Sequence, residues 1–348
     1  MRNVSIGLTL LLAPGVAPAQ VLDPFYAGDY TLTDHGSVPG VPTPYGGLTF
    51  DPADHNRLLI GGSANTLNAD IYEIRVARDA SGAISGFVCG ASMSFADAYG
   101  ETGGIDGGLT FGPGGVLFYT SYRDNLVGQI RPGSTAPDRL VALTPLGVFP
   151  SVGALMIVPP GFAGAGRLKL ASYNSWRWYD ATLTPDGSGT YDIAVSPGWI
   201  TGTTAPEGIV YVRGGNPGFA ADSVLVSEYG AGRVSSFEID ANGDPTAATR
   251  RTFVSELAGA EGAAIDPATG DFLFSTFGGS NRVIRVSGFS AFPTCAGDLN
   301  GDSTVSIEDL AILLGSFGME GAGDLNGNCL VDLADLAQLL ANFGTICP

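Results

Sequence analysis

Short apolar runs alternate with polar turn segments along most of the chain. Between residues 25 and 290 these runs are rich in β-branched and aromatic residues and end at Gly, Pro, Asn or Asp. Such a pattern predicts β-strands joined by tight turns, because glycine adopts positive φ easily and Asp or Asn hydrogen-bonds its own backbone. Helical spacing of the apolar residues is almost absent in this part of the chain. We therefore expect a mainly β domain.

A short sequence motif opens each predicted β unit. It consists of a small residue and Gly or Ala, followed by an apolar run. It is clearest at residues 46–52 and 107–113 and weaker at 152–155, 206–210 and 260–267. Each copy is followed by a second predicted strand, at residues 57–60, 116–121, 167–172, 223–228 and 271–276. Third strands are clearest at residues 70–76, 126–130, 233–240 and 281–286. Hairpins repeated in this way are typical of propeller blades.

Five units are clear, and residues 25–33 supply a sixth if they pair with late strands and close the ring. The strand rhythm and the short Glu-Gly phrases resemble the broad group of six-bladed propellers that includes NHL-type and lactonase-like proteins. The predicted fold class of residues 20–293 is therefore a β-propeller of about six blades, with a pair of β-sandwiches as the alternative.

In lactonase-like propellers, acidic residues at the start of the innermost strands line the central channel and hold a metal. This resemblance makes Glu207 and Glu261, each followed by a glycine, candidate catalytic or metal-binding residues, and Asp106 a third candidate. At the matching positions the other units carry Gly46, Gly107 and Val152. The predicted ring of acids is therefore incomplete, and a structural role for the glutamates is the alternative.

The periodicity changes near Pro293. From there the chain holds two copies of one pattern, each an acidic loop and a short helix, with the loops at residues 298–309 and 324–335. Apolar residues at i, i+3, i+4 and i+7 place one stripe on each helix, and a glycine ends each helix. The two stripes, which we expect to pack against each other, are Leu310, Leu313, Leu314 and Phe317 in the first copy and Leu336, Leu339, Leu340 and Phe343 in the second.

Both loops place oxygen donors at positions 1, 3, 5, 7, 9 and 12 of an EF-hand calcium loop. Position 7 contributes a backbone carbonyl, and the other donors converge on one ion as the loop wraps. The expected ligands of two Ca2+ ions are Asp298, Asn300, Asp302, Thr304, Ser306 and Asp309 in the first loop and Asp324, Asn326, Asn328, Leu330, Asp332 and Asp335 in the second. A pair of acidic turns without metal is the alternative.

Too few residues separate Gly318 from Asp324 for an entering helix, so each copy is half of an EF-hand. Two loops with two exit helices resemble a type I dockerin, over residues 294–348. The resemblance implies calcium-dependent folding of a small α-helical module. It also implies docking of that module onto a cohesin-like or cell-surface protein.

Two features depart from the dockerin pattern. Loop position 6, which is glycine in an EF-hand, holds Ser303 and Cys329, and this lowers the expected calcium affinity. The family's partner-contacting positions fall on residues 307–308 and 333–334, which are Ile-Glu and Leu-Ala here, in place of the small hydroxyl pair of cellulosomal dockerins. A partner outside the cellulosome is therefore as strongly expected as a classical one.

The N-terminus predicts export. Arg2, an apolar run at residues 4–13 and the small residues of 17–19 form a secretory signal with cleavage before Gln20. The apolar run is too short to cross a bilayer. We expect a signal peptide at 1–19, a propeller at 20–293 and a dockerin-like module at 294–348, in a protein that is secreted or attached to the cell surface without membrane insertion.

The charge of the chain narrows its partners. It has 34 acidic against 16 basic residues, a formal net charge of −18. Nucleic acid and anionic membrane repel such a chain, so neither is an expected partner. Residues 291–348 contain no Lys or Arg but several acidic residues, an imbalance that favours a bound cation there.

Four cysteines are present, and export permits disulfides. Cys295 and Cys347 flank the C-terminal module and are the favoured pair, which leaves Cys89 and Cys329. Sequence alone does not decide the pairing.

Structural roles explain the other candidate site residues better than functional ones. Asp240 and Asp244 flank a predicted hairpin turn, which we favour over a cation site. Trp176, Trp178 and Tyr179 form either core packing, the default, or a sugar-stacking platform. Neither histidine has a metal-ligand spacing, and no nucleophile elbow or Ser/His/Asp set is apparent.

These patterns predict a secreted calcium-binding protein whose propeller binds an unknown ligand and whose C-terminal module docks onto a partner. The alternative is an enzyme, either a carbohydrate-active hydrolase or lyase of polysaccharide breakdown or a metal-dependent lactonase-like hydrolase. Carbohydrate is thus a further candidate partner. An ion between Glu207 and Glu261 favours the lactonase-like alternative, and a channel lined by apolar and glycine residues favours a binding module.

Overall fold

The computed structural model describes residues 20–52, 54–279, 281–290, 297–299, 304–319, 323–326 and 328–345, without the side chains of residues 88–91. The predicted signal segment at residues 1–19 lies outside these residues. The described chain forms five antiparallel sheets, arranged as the blades of a propeller, and two short helices.

The first three blades are each built from consecutive strands, with the first strand innermost. The first blade contains β3 (Leu48–Asp51), β4 (Asp54–Gly62), β5 (Asp70–Arg78) and β6 (Ile84–Asp97). The second contains β7 (Ile105–Phe111), β8 (Leu117–Ser121), β9 (Leu126–Ile130) and β10 (Arg139–Ala142). The third contains β11 (Val152–Ile157), β12 (Leu168–Ser172), β13 (Arg177–Pro185), β14 (Tyr191–Val195) and the short β15 (Trp199–Ile200), which pairs with β13.

The N-terminal segment completes the last two blades. The fourth blade contains β16 (Pro206–Val212), β17 (Ser223–Glu228), β18 (Arg233–Glu238) and β19 (Arg251–Ser255), with β1 (Val21–Leu22) at its edge. The fifth contains β20 (Ala260–Ile265), β21 (Phe272–Thr276) and β22 (Val283–Ser287), with β2 (Thr31–Asp34) as its outer strand. Hydrogen bonds between β2 and β22 therefore join the start of the propeller to its end.

The propeller has five blades, so the prediction of about six was wrong in number. The N-terminal segment does pair with a late strand, as expected, but β2 is the fourth strand of the fifth blade and does not begin a blade of its own. The fifth blade has only three strands from its own unit, and their outer edge is the vacant position that β2 fills. The sheets follow one another around a single ring, which excludes the alternative of two sandwiches.

Apolar residues of adjacent blades pack face to face in five buried clusters, one at each junction. Trp178 and Tyr179 are buried in this packing, which confirms the core interpretation for both. The Trp178 Nε1 donates to Asp244 Oδ1 at 2.9 Å, and Lys169 Nζ donates to the same oxygen at 2.6 Å. Asp244 is thus a structural ion-pair partner. Trp176 is 47% exposed and belongs to the β12–β13 turn.

Two helices follow the propeller, α1 (Ile307–Gly315) and α2 (Leu333–Ala341). Ser306 and Asp332 cap them with reciprocal side-chain and backbone hydrogen bonds, as capping boxes do. Each copy is also joined to the other by an equivalent pair of backbone hydrogen bonds. Val305 exchanges them with residues 344–345, and Val331 exchanges them with residues 318–319. Among the described residues, no helix is long and apolar enough to cross a membrane.

The predicted helix stripes are only partly internal. Leu313 and Leu339 are fully buried and Leu310 and Leu336 partly buried, as expected. The i+4 and i+7 positions of the stripes instead face solvent, with 40 to 51% of each side chain exposed, at Leu314, Phe317, Leu340 and Phe343. Val305, Val331 and Leu299 fill the small core in their place, so the helices bury a narrower face than the spacing predicted.

The cysteine pairing stays a prediction. Cys329 is the one cysteine whose side chain is described, and it is not a free thiol. The side chains of Cys89, Cys295 and Cys347 lie outside the described residues.

Candidate functional site

The innermost strands of the propeller are interrupted by bulges that turn side chains toward the central axis. In the fourth blade Pro206 pairs with Glu228 and Ile209 with Val226, so residues 207–208 oppose a single residue. In the fifth blade residues 261–262 do the same between Ala260 and Ala263. A bulge re-aims the extra side chain out of the regular alternation. Glu207 and Glu261 consequently occupy equivalent positions, as their Glu-Gly phrases predicted.

The second blade reaches the axis differently. Ile105 pairs with Ser121 and Leu109 with Tyr119, which leaves three residues, 106–108, opposite one. This bulge is one residue longer than those of the fourth and fifth blades. In the fourth and fifth blades the glutamate stands two residues before the point where regular pairing resumes, and we call this the acidic position. In the second blade the acidic position is Gly107. The additional residue of the longer bulge, Asp106, brings its carboxylate to the axis.

Glycines make room for these carboxylates. In the third blade Leu155 pairs with Leu170, which corresponds to the pair of Ile209 with Val226 in the fourth blade. The acidic position of the third blade is therefore Gly153 and not Val152. A Cβ atom at Gly153 would collide with Glu207 Oε2, and one at Gly107 would lie 2.6 Å from the same oxygen. No side chain larger than hydrogen fits at either position without moving Glu207.

The acidic centre consists of Asp106, Glu207 and Glu261. Each offers a carboxylate oxygen, and these oxygens all lie within 4.8 Å of one another. The three residues are 1%, 2% and 1% exposed, so the cluster is removed from water. Three carboxylates at this separation repel one another strongly when ionised, because the surrounding dielectric is low.

Hydrogen bonding leaves the acidic centre unsatisfied. Asn65 Nδ2 donates to Asp106 Oδ1 at 2.5 Å. Asp106 Oδ2, Glu207 Oε2, Glu261 Oε1 and Asn65 Oδ1 are buried without any hydrogen-bond partner. Buried oxygens without donors are rare and costly in native proteins. Protons shared between the acids, water in the adjoining cavity or a bound cation must supply the missing partners of these oxygens.

The carboxyl groups accordingly titrate far from their usual range. Burial raises the pKa of Asp106 to about 6. Burial, together with the negative charges of Asp106 and Glu261, raises the pKa of Glu207 well above its ordinary value. Burial and the charge of Asp106 do the same to the pKa of Glu261. Without a cation, the centre therefore holds protons at pH values where surface carboxylates have lost them.

A cavity of about 170 Å³ opens onto the acidic centre. Its described lining contains the three acids, one amide and four aromatic residues, and no Lys, Arg, His or Cys. The eight lining residues are Asn65, Asp106, Tyr122, Tyr173, Glu207, Tyr229, Glu261 and Phe277.

The four aromatic residues of this cavity were not among the predicted site residues. Each directly follows the second strand of its blade, after Ser121, Ser172, Glu228 and Thr276. The predicted second strands of the second to fifth units end at these same four residues. Aligning the units on the ends of these strands would therefore have shown an aromatic residue at one fixed position in four of the five units.

A larger cavity, of about 370 Å³, lies between the propeller and the C-terminal module. Two of its acids are ion-paired, since Arg75 bonds both Asp54 and Asp324. Arg78 likewise bonds Asp266 nearby. The predicted turn at Asp240 and Asp244 is also confirmed, because Asp240 Oδ1 accepts from the backbone N–H groups of residues 242 and 244. Neither place has the orphan oxygens of the acidic centre.

The structure places the last acidic residue of each predicted calcium loop at the module's core. Asp309 Oδ1 accepts from Leu299 N at 2.7 Å, and Asp335 Oδ1 accepts from Leu325 N at 2.8 Å. Both aspartates are fully buried. Their second oxygens accept from the backbone N–H groups of the helix caps. Of the predicted ligands, Asn300 and Asp302 lie outside the described residues.

The second loop contacts the propeller. Asp324, at loop position 1, accepts from Arg75 at 3.1 Å and from Cys329 N at 2.9 Å through Oδ2. Asn56 donates to the Asp324 backbone carbonyl. A calcium ion bound by Asp324 Oδ2 would compete with Arg75 for that oxygen. The donor types still fit calcium, since the described ligand positions of both loops carry oxygen atoms.

Comparison with known proteins adds little. No protein-family model matches the chain, and no curated protein matches it. Solved structures similar to it include a PQQ-bound aldose sugar dehydrogenase from Streptomyces coelicolor, with 19% identity, a TM-score of 0.38 and coverage of 73% of this chain and 83% of that one. An auxiliary nutrient binding protein from Bacteroides ovatus shares 12% identity, with a TM-score of 0.39 and coverage of 74% and 76%. The Cps50 (Swd1) β-propeller domain of Myceliophteria thermophila shares 9%, with a TM-score of 0.38 and coverage of 71% of both chains. Similarity at this level supports no argument about ligand or activity.

Fold and site together define a class, a five-bladed β-propeller with a buried tricarboxylate centre on its axis. The centre is assembled from the second, fourth and fifth blades, and its mouth is bordered by aromatic residues.

Proposed function

We propose that this chain is a secreted calcium-binding protein whose propeller holds one hard divalent cation at the acidic centre and presents it to a ligand. The observation that carries the proposal is the set of three orphan carboxylate oxygens of Asp106, Glu207 and Glu261 at one buried site, with Asn65, whose amide oxygen is also an orphan, in the lining of the same cavity. Carboxylate and amide oxygens are the donors that Ca2+ prefers, whereas Zn2+ prefers the His and Cys that the described lining lacks.

The protein donors leave room for a ligand. Ca2+ takes six to eight oxygens, and the four orphan oxygens supply fewer than that. Water or ligand oxygens from the adjoining cavity would complete the coordination shell. The bound cation would also relieve the repulsion among the three carboxylates, so folding and binding are linked.

A second candidate function for the same centre is metal-assisted hydrolysis of a lactone or a glycosidic bond. The observation that favours it is the pair Glu207 and Glu261 in one cation site, because a bound cation polarises a substrate oxygen. Against it, the described lining offers no base other than the carboxylates that the cation would occupy and tyrosine hydroxyls. We therefore place ligand binding first, and turnover of δ-lactones by the calcium-loaded protein would reverse that order.

Terbium luminescence tests the cation centre in the full chain. Tb3+ replaces Ca2+ and emits when a nearby tyrosine absorbs light, and Tyr122, Tyr173 and Tyr229 line the centre. Residues 291–348 contain no Tyr or Trp, so the loops of the C-terminal module lack this sensitiser within their own segment. We expect tyrosine-sensitised emission that calcium displaces.

The matched variants are Glu207→Gln, which removes one ligand charge, and Asp332→Asn, which changes only the second calcium loop. Glu207→Gln should abolish the emission, and Asp332→Asn should leave it unchanged. No emission from the parent protein, or equal emission from Glu207→Gln, contradicts a cation centre at this position.

We also propose that the C-terminal module binds two further Ca2+ ions and docks onto a cohesin-like or cell-surface protein. What supports this is its outer surface. Matched positions on the two helices and in the turns that follow them carry exposed apolar side chains, which solvent does not favour. The three matched pairs are Ile307 with Leu333, Leu314 with Leu340, and Phe317 with Phe343, exposed by 40 to 72%.

Binding to a panel of cohesin domains, with and without calcium, tests the docking proposal. The double variant Ile307→Ser with Leu333→Ser should lose binding, because both residues lie at the family's partner-contacting positions and are 62% and 72% exposed. Helix content should persist in this variant, since neither side chain belongs to the module's core. Calcium-independent binding, or binding that survives the double change, contradicts the proposal.

A further inference from the structure

Four aromatic rings surround the mouth of the acidic centre in the order of the blades that carry them. We call Tyr122, Tyr173, Tyr229 and Phe277 the aromatic arc. Successive ring centroids are 5.3, 5.8 and 6.2 Å apart, and successive ring planes are inclined by 83°, 57° and 71°. Neighbouring blades of a five-bladed propeller are related by one fifth of a full rotation, and the angles between successive ring planes lie near that value. The rings therefore follow the propeller's own rotation and contact one another along the wall of one cavity.

The arc is interrupted over the first blade. The residue that follows its second strand β4 is Ser63, which has no ring, and the chain continues to Asn65 in the left-handed region, with φ of 63°. Asn65 fills this sector of the wall and reaches Asp106 with its amide. The cavity thus has an aromatic wall on four sides and a polar amide on the fifth.

The charge of the cavity excludes one class of ligand. Its described lining contains three carboxylates and no basic side chain. A divalent cation neutralises only part of this charge when all three acids are ionised. A phosphate, sulfate or carboxylate ligand would find no basic partner among the lining side chains and would be repelled by the remaining negative charge.

The remaining features describe the ligand positively. The coordination shell of a bound Ca2+ needs ligand or water oxygens, and two adjacent hydroxyl groups supply a chelating pair. Aromatic rings pack against the C–H face of a saturated ring. Tyr173 lines the cavity, and a tyrosine hydroxyl can donate a hydrogen bond to a ligand oxygen. The cavity, at about 170 Å³, is several times larger than the roughly 30 Å³ that one water occupies.

We infer that the ligand of the propeller is a neutral saturated ring with vicinal hydroxyl groups, a pyranose sugar or the terminal sugar of a glycan. Two hydroxyl groups bind the cation at the acidic centre, and the apolar face of the ring packs on the aromatic arc. This inference rests on the proposed cation centre and adds the chemical class of its ligand. It makes Tyr173 and its neighbours in the arc determinants of ligand specificity.

Calorimetric titration of the calcium-loaded full chain tests the inference. The probes are the methyl pyranosides of mannose, galactose and fucose, each with a cis pair of vicinal hydroxyls, together with mannuronate as an anion and choline as an organic cation. We expect at least one neutral pyranoside to bind, and only with calcium. Tyr173→Ala should weaken that binding about tenfold by removing a packing face, and Tyr173→Phe should retain most of it.

Trp176→Asn is the matched aromatic control. Trp176 lies three residues after Tyr173 on the same turn but outside the cavity, and the second blade already has Asn125 at this position with the same left-handed backbone. Its sugar affinity should equal that of the parent protein.

The outcomes separate the two proposals. Tyrosine-sensitised terbium emission without binding of any pyranoside overturns the ligand class and leaves the cation centre in place. Sugar binding that persists in a chelator overturns the role of the cation in holding the ligand. Binding of mannuronate or choline in preference to the neutral sugars overturns the charge argument.

Discussion

The acidic centre of the propeller and the last acidic residue of each predicted calcium loop, Asp309 and Asp335, are equally buried, but their oxygens have different partners. Asp309 and Asp335 each accept backbone N–H hydrogen bonds on both carboxylate oxygens. Asp106, Glu207 and Glu261 each keep one oxygen with no partner. The module's carboxylates therefore hold its loops together, whereas the propeller's carboxylates oppose the fold that contains them until a cation or protons arrive. Burial alone does not say whether an acid stabilises a protein.

The largest expected effect comes from removing a satisfied carboxylate. Asp335→Ala leaves the backbone N–H groups of Leu325, Asn326 and Asp332 without their acceptor. Loss of these charge-assisted hydrogen bonds should lower the stability of the module on the order of 3 kcal/mol. Hydrogen exchange of the α2 amides, measured in chelator, reports it. Asp335→Asn, which keeps one acceptor oxygen, is the milder control, and unchanged exchange in Asp335→Ala would remove this half of the comparison.

A smaller effect is expected from raising the pH. Ionised carboxylates at the acidic centre destabilise the fold, whereas those of the module stabilise it. The folded-state pKa of Asp106 is raised from an ordinary 3.8 to about 6, and those of Glu207 and Glu261 are raised further above their ordinary values. Between the unfolded and folded values the folded state binds more protons, so stability is present at low pH and is lost as the pH rises through about 6.

Urea unfolding in chelator, followed by tryptophan fluorescence, measures this loss, because all three tryptophans are in the propeller. Between pH 5 and pH 8 Asp106 alone accounts for a loss of about 1.4 kcal/mol, since stability falls by about 1.4 kcal/mol per pH unit until the pH reaches its folded-state pKa of about 6. Calcium should cancel the loss. A calcium-free propeller that gains stability from pH 5 to pH 8 is the result that would sink this prediction.

The smallest effect is a gain in stability. Glu261→Gln replaces an ionisable group of the acidic centre with a neutral amide of similar shape. In chelator at pH 8 it should stabilise the propeller by about 1 kcal/mol, because it removes buried charge and mutual repulsion. The same variant should lose the stabilisation that calcium gives the parent protein. Denaturant midpoints of the two proteins, with and without calcium, measure both changes, and a loss of stability in chelator would mean that Glu261 has a partner.

Much of the propeller could be predicted from the sequence. The β16–β17 hairpin is an example, because its apolar runs end at turn residues and the predicted strand at 223–228 coincides with β17. The number of blades could not be predicted, since residues 25–33 read as a strand wherever they pair. Whether such a strand completes a blade or starts one depends on which edge is left open at the other end of the chain.

The two groups of acids show the same division. The ligands of the two proposed calcium loops could be named residue by residue, because they all lie within one short segment, and their binding of calcium stays a prediction. Glu207 and Glu261 were named from their Glu-Gly phrases, and Asp106 was named as a third candidate beside them. Nothing near Asp106 in the sequence indicates the longer bulge that aims it at the same point. The aromatic arc was missed altogether, since each of its members is a single residue at the end of an ordinary strand.

The sequence by itself determined the strands, the turns, the two helices and the spacing of the oxygen donors in each loop. These follow from contacts between residues close along the chain. The tertiary structure alone decided that the ring closes after five blades and that three acids meet on its axis. It also decided that four aromatic rings border them. Such a site is built from residues of different blades, and their distances depend on how all the sheets pack around the ring.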